Sequence, residues 1–345
     1  MRAAVIRSFG GTDAVEVVDL PDPEPGPGEV VVAVRAAALN HLDLWTVSGA
    51  IAEPKLPHVL GADGAGEIVA LGDGVTGVRR GDRVIVNPAI SCGRCERCRA
   101  GEQSECTTFR MIGEHLPGTF AQRIAVPAEN VFPFPDHLSF ENAAALGVTF
   151  ITAYRMLFAR GGLRPAEWVL ITGIGGGLAL SLLQLCRPVA GRVIVTSSSQ
   201  AKIERARELG ADEGIDYKQE DVGKAVRRLT GKRGVDLVVD SAGGPTLDAS
   251  IRSLRAGGRV VISGATAGGT SEINVRRLFW SQLSVIGSTM GSVADVSDML
   301  RAVAGAKLEP IVDRTFALDD VQKALQYLES GDHFGKVVLQ IPPVQ

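Results

Sequence analysis

Trp168-Val169-Leu170-Ile171-Thr172-Gly173-Ile174-Gly175-Gly176-Gly177-Leu178-Ala179-Leu180-Ser181-Leu182-Leu183-Gln184-Leu185 reads as a short apolar strand, a glycine turn and an apolar helix. Such a turn lets backbone N–H groups approach a pyrophosphate, and the helix N-terminus behind it favours negative charge. The ordinary G-x-G-x-x-G register is broken at Leu178. A shifted form, Gly173-x-x-Gly176-x-x-Ala179, keeps a small residue where helix and strand must pack closely. A plain strand–helix connection would also use glycines, so the surroundings must decide. Downstream, strands are predicted over 169–172, 192–196, near Ile215, and over 235–240, 259–263 and 283–287. Helices intervene over 201–209, 221–230 and 245–254. Six strands joined by crossovers imply a doubly wound parallel sheet, in which Gly173, Gly175, Gly176 and Gly177 line the cofactor turn. Ser241, Gly264, Ala265 and Thr266 end the fourth and fifth strands, at the edge where a dinucleotide lies.

Cofactor choice is read after the second strand. An NAD enzyme places Asp or Glu there against the ribose 2′-OH. This chain reads Val195-Thr196-Ser197-Ser198-Ser199-Gln200-Ala201-Lys202, without a carboxylate. Ser197, Ser198 and Lys202 suit a 2′-phosphate, hence NADPH rather than NADH; serines capping the next helix are the alternative.

The 345 residues are 45% hydrophobic and 22% charged, enough for about two domains. A net charge of −3 argues against a nucleic-acid partner. The N-terminus lacks the apolar run of a signal peptide, and no stretch suits a membrane span, so a cytoplasmic protein is expected. Four of the five cysteines fall in Cys92-x2-Cys95-x2-Cys98-x7-Cys106. Four thiolates with no open position describe one structural zinc; free thiols or redox pairs are the alternative. Residues 1 to about 90 are β-rich, with strands predicted over 30–37, 66–71 and 82–87.

Leu39-Asn40-His41-Leu42-Asp43-Leu44-Trp45, Leu60-Gly61-Ala62-Asp63-Gly64-Ala65-Gly66-Glu67-Ile68-Val69 and Gly81-Asp82-Arg83-Val84 resemble the first domain of the medium-chain dehydrogenase/reductases. With the cysteine cluster, the glycine turn and Gly335-Lys336-Val337-Val338, the resemblance covers essentially the whole chain and touches the alcohol-dehydrogenase-like and quinone-oxidoreductase-like branches. It implies an α/β fold: a GroES-like β-rich catalytic domain (1–149 and 292–345, zinc lobe at 91–107) and a Rossmann dinucleotide-binding domain (150–291). It also implies a homodimer, or a tetramer, built through the edge strand of the Rossmann sheet.

The same resemblance places the catalytic-zinc ligands of zinc alcohol dehydrogenases at Asn40, Ala62 and Val148, none of which is a thiolate or imidazole. In quinone-oxidoreductase-like relatives an Asn at position 40 helps hold the nicotinamide–ribose end of the cofactor; a turn-forming Asn is the alternative. His41 is a candidate for a phosphate contact or proton donor. Thr152 corresponds to a contact of the nicotinamide carboxamide, and Tyr217 to a residue flanking the 2′-phosphate. Lys336 corresponds to a phosphate contact, or is a surface lysine. Trp45, His115 and Met290 are expected in loops around the substrate pocket.

Without a Lewis acid, alkoxide formation from an alcohol loses its main stabilisation, whereas a conjugated acceptor needs less help. The expected function is NADPH-dependent hydride transfer to a quinone, an α,β-unsaturated carbonyl or an enoyl compound. The alternatives are an alcohol dehydrogenase or carbonyl reductase with an atypical centre, and a non-enzymatic NADPH-binding scaffold.

Overall fold

The computed structural model describes residues 1–51 and 53–343. Two compact units emerge, Met1–Ile151 with Gly291–Gln345, and Thr152–Met290.

The first unit is built on strand Glu29–Ala38, whose run of Val and Ala is buried on both faces. Small and β-branched side chains suit a strand enclosed between layers. It pairs antiparallel with Asp63–Leu71, Arg123–Pro127 and Lys336–Gln340. Register does the positioning. Ala38 lies opposite Asp63 on one side and opposite Val338 on the other. Continuing both ladders brings Asn40, Asp63 and Lys336 to one end of the sheet. Helix Val321–Ser330 closes the core with Val321, Ala324, Leu325 and Leu328, an i, i+3, i+4, i+7 stripe. Each large member contributes about 1.5–3 kcal/mol by burial.

The second unit is the doubly wound sheet. Its strands are β1 (Trp168–Ile171), β2 (Arg192–Ser197), β3 (Glu213–Asp216), β4 (Val235–Asp240), β5 (Leu254–Ile262) and β6 (Ser284–Gly287). All pair in parallel, in the order β3-β2-β1-β4-β5-β6. The chain order reverses beside β1, the switch point where such sheets bind ligands. Leu170, Ile194, Val238 and Val260 are fully buried, as parallel strands covered on both faces require. One expectation is corrected: β5 begins at Leu254, five residues before the predicted start, because Leu254 pairs with Val235 ahead of a register shift.

Ser139 is an N-cap, its Oγ accepting from Asn142 N at 3.2 Å. The apolar stretch that follows runs as Phe140–Ala144, Gly147–Tyr154 and a π-helical turn, Arg155–Arg160.

Candidate active site and metal centre

In the second unit, β1 runs into the glycine turn and helix Gly177–Cys186. Gly173 and Gly175 have φ of +67° and +119°, which side chains resist. A Cβ on Gly175 would meet Lys202 Cδ at 2.7 Å and Nζ at 3.4 Å. The Lys202 ammonium therefore lies against the turn. Ile174 N donates to Thr196 O at 2.7 Å, and Gly173 N to Thr196 Oγ1 at 3.2 Å, fastening the turn to β2. Ala179 is buried, as its close-packing position demands.

At the end of β2, Ser199 caps helix Gln200–Glu208, accepting from Lys202 N, while Ser197 Oγ accepts from Ser199 N at 3.2 Å. Ser198 is partly exposed beside them and Tyr217 is 50% exposed, its N–H bonded to Ser197 O. Ser241 and Thr266 are joined by Thr266 Oγ1 donating to Ser241 O at 3.4 Å; Gly264, Ala265 and Thr266 are exposed. Thr152 Oγ1 lies 3.7 Å from Met290 Sδ. Sequence reasoning missed the group that organises this rim. Asp240, fully buried at the end of β4, accepts from Ala242 N (2.9 Å), Gly243 N (3.1 Å), Thr172 Oγ1 (3.2 Å) and Ser250 Oγ (2.7 Å). Its position in VDLVVDSAGG was the available signal, since a strand ending in Asp before small residues suits a carboxylate capping the next turn.

In the first unit the three positions matched to catalytic-zinc ligands converge on one carboxylate. Asn40 Nδ2 donates to Asp63 Oδ2 at 3.0 Å, Val148 N donates to Asp63 Oδ1 at 2.6 Å, and Ala62 precedes it in the chain. Gly147 has no side chain because a Cβ there would fall 2.1 Å from Asp63 Oδ1. The cation at this centre is Lys336. Its Nζ donates to Asp63 Oδ2 (3.0 Å), Asn40 Oδ1 (2.7 Å) and Leu39 O (2.7 Å). Lys336 is 4% exposed, which corrects the surface-lysine alternative, and all three of its N–H donors are engaged with protein. Removing one member of such a buried pair leaves an uncompensated charge costing about 3–5 kcal/mol. An amide, a methyl and an isopropyl group do not fit a catalytic zinc, and the carboxylate among them is already satisfied.

Around this triad, helix His41–Ser48 starts with a capping box in which Asp43 Oδ2 accepts from Asn40 N at 2.7 Å. Burial lifts the Asp43 carboxyl to about 7 against the Asn40 N–H, with nearby Asp63 adding to the rise. The surrounding protein, and then the Lys336 charge, hold His41 below its usual pKa; its ring keeps contact with solvent, which bounds that effect. The His41 ring stands 6.4 Å from Trp45 and 6.2 Å from His333. His115 is elsewhere in this unit, Nδ1 accepting from Met111 N at 3.2 Å and lying 3.7 Å from Glu114. His58 is buried against Gly113 O.

The cysteine lobe is a separate centre. Among the described residues, Cys92, Cys95, Cys98 and Cys106 are the one group of three or more potential metal ligands, their sulfurs all within 4.8 Å of one another. Cys95 N, Cys98 N, Cys92 N and Thr108 N point at these sulfurs from 3.3–3.5 Å. Backbone donors so arranged stabilise thiolates. The Cys98 N–H holds Cys95 down to about 6, whereas burial pushes Cys98 up to about 11. The donor set fits one tetrahedral zinc with no open position, a structural role.

Comparison with known proteins agrees with this geometry. Residues 26–136 match the alcohol dehydrogenase GroES-like domain and residues 177–305 the zinc-binding dehydrogenase family. An acryloyl-coenzyme A reductase of Metallosphaera sedula is 32% identical over 342 residues, covering 98% of this chain and 99% of the relative. A crystal structure of an NAD-dependent alcohol dehydrogenase superposes with a TM-score of 0.93 at 44% identity, covering 99% and 100% of the two chains. The crotonyl-CoA carboxylase/reductase AntE, solved with NADP, superposes with a TM-score of 0.91 at 27% identity, over 100% and 95%.

Proposed function

Because this chain belongs to the medium-chain dehydrogenase/reductase superfamily of oxidoreductases, we propose that it transfers hydride from NADPH to a conjugated acceptor without a catalytic metal. Membership in a superfamily of oxidoreductases sets aside the non-enzymatic scaffold. The acceptor is a quinone, an α,β-unsaturated carbonyl or an enoyl compound, as the acryloyl- and crotonyl-CoA relatives suggest. The observation that carries this reading is the Asp63 centre, where Lys336 supplies the positive charge and, among the described residues, no group of three potential metal ligands gathers.

The chemistry follows from that centre. Hydride adds to the β-carbon, and the resulting enolate takes a proton at the α-carbon. The proton comes from solvent, a ribose hydroxyl of the cofactor or a nearby side chain, for which His41 is the candidate. Asn40 meets the nicotinamide–ribose end of the cofactor and Thr152 its carboxamide. Gly173, Gly175, Gly176 and Gly177 meet the pyrophosphate. Lys202 and Ser198, with Tyr217 beside them, receive the 2′-phosphate; Lys202 against the turn supports this. Ser241, Gly264, Ala265 and Thr266 form the rim. Trp45, His115 and Met290 are assigned to the acceptor, Trp45 from helix His41–Ser48 and not from the loop expected for it. The cysteine lobe binds one structural zinc, and two copies associate through the open edge of β6.

A second reading, carbonyl reduction or alcohol oxidation with NAD(H), is favoured by the 44% identical alcohol dehydrogenase. Incubation with cyclohex-2-enone, with NADPH and NADH in parallel, separates the two. Cyclohexanone formed preferentially with NADPH is the expected product; cyclohex-2-enol overturns conjugate reduction.

A further inference from the structure

We propose that a basic groove on the second unit binds the phosphate chain of a small polyphosphorylated ligand. The groove encloses about 390 Å³ and is lined by Gly223, Lys224, Arg227, Arg228, Lys232, Arg252 and Arg277, cations at every position but one. A chain with a net charge of −3 thus gathers positive charge at one place. The clustering starts in the sequence. Lys224, Arg227 and Arg228 stand at i, i+3 and i+4 of helix Val222–Leu229, and so share one face. Arg252 comes from helix Thr246–Ser253 and Arg277 from helix Val275–Trp280. The exposed apolar side chains of that last helix, Val275, Phe279 and Trp280, do not line the groove.

Cations held this close repel one another, and the protein relieves only part of that repulsion. Arg252 is fixed by Asp221, at 2.8 and 3.0 Å, and by Asp248 at 2.7 Å; Arg228 pairs with Glu220 at 2.9 Å. Gly223 makes room for the Arg252 guanidinium, since a Cβ there would fall 2.8 Å from its Nη1. Arg227 is fixed without any carboxylate, Nη1 donating to Lys232 O at 2.7 Å and Nη2 to Leu254 O at 3.5 Å. The side chains of Lys224, Lys232 and Arg277 have no hydrogen bond or ion pair among the described residues; Asp221 senses the Lys224 charge without pairing with it. Six cations therefore meet three carboxylates, an excess of three positive charges. Guanidinium groups take phosphate oxygens in pairs, and ammonium groups add charge without demanding one geometry. The volume suits a small ligand, not a duplex or the face of a folded partner. A triphosphate matches the excess within one short chain, whereas an acidic peptide spreads its carboxylates over several residues.

The groove uses no residue assigned to the cofactor, so it stands whichever coenzyme the enone reaction selects. Inorganic tripolyphosphate, and in parallel ATP, is titrated calorimetrically into the protein in the presence of NADPH. Expected is one saturable site per chain, weakened about tenfold or more in K224Q/K232Q/R277Q, with NADPH affinity and zinc content unchanged. Equal affinity for the two probes would make the phosphate chain the whole determinant, and tighter ATP binding would add its nucleoside; both outcomes support the site. No saturable binding, undiminished binding in the triple variant, or equally tight binding of hexaglutamate would each overturn it. A second measurement needs only the unaltered protein. At several times its Kd, tripolyphosphate should slow acetylation of Lys224 and Lys232 about fivefold, while the exposed Lys307 of the first unit reacts as before. Protection of Lys202 in place of Lys224 and Lys232 would put the probe at the glycine turn and overturn the proposal.

Discussion

Asp43 shows how a capping residue acquires a pH dependence. It completes the capping box of helix His41–Ser48, yet it is fully buried and its pKa is lifted from 3.8 to about 7. A carboxyl whose folded pKa exceeds its unfolded value favours folding most below the unfolded value. That contribution disappears as pH rises through the folded one. Between about pH 4 and 7, Asp43 therefore makes the protein progressively less stable, by up to a few kcal/mol. Asp221, held near 2 chiefly by Arg252, acts with the opposite sign, its contribution lost as pH falls below 3.8. Asp236, also near 2 and paired with Arg233 and Arg255 against its own burial, behaves likewise. The two windows do not overlap. Urea melts at pH 5 and pH 8 should show a smaller pH difference for D43N than for the unaltered protein. An equal difference would mean that Asp43 titrates normally.

At the scale of elements, the lobe at 91–107 is held by its cysteines more than by packing. Its helix is the four-residue turn Glu96–Arg99, and in it only Cys98 is buried. A lobe with so little apolar burial depends on its crosslink, and structural zinc supplies folding free energy directly. Metal analysis should find one zinc per chain. C106S should lose that zinc and open the lobe to protease cleavage, while cofactor binding at the glycine turn of the other unit stays within about twofold. Zinc retained in C106S would disprove the four-sulfur cage. The glycine turn is the opposite kind of element. Its shape is set by two positive-φ glycines and by hydrogen bonds to Thr196, and it needs no ion to hold it.

On the scale of the whole molecule, the sheet of the second unit has an unpaired edge. Among the described residues, strand β6 pairs with β5 alone. Near it in sequence, helix Val275–Trp280 shows Val275, Phe279 and Trp280 at 66%, 64% and 77% exposure. An open strand edge and exposed aromatic groups are each an aggregation hazard unless covered. A second copy, pairing edge to edge, would cover both. Sedimentation of the unaltered protein should give a dimer or a multiple of it, and W280E/F279E should shift it toward monomer with zinc content unchanged. A monomeric unaltered protein would refute this assembly.

The sequence by itself determined the parallel sheet, since apolar strands alternating with helices and an early glycine turn admit few other arrangements. The cysteine cage was equally legible, because four thiols within one short loop meet whatever the rest of the chain does. Local patterns of this kind carry their own geometry. The centre around Asp63 does not. Its members are separated by up to 296 residues in the chain, as between Asn40 and Lys336, and only strand register brings them together. Sequence suggested a surface or phosphate-binding role for Lys336 because nothing local to Gly335-Lys336-Val337 reveals a carboxylate across the sheet. Tertiary structure decided that this lysine is buried and paired with Asp63. The physical reason is that a charge is buried only where its partner is, and the partner's address is written in pairing across strands.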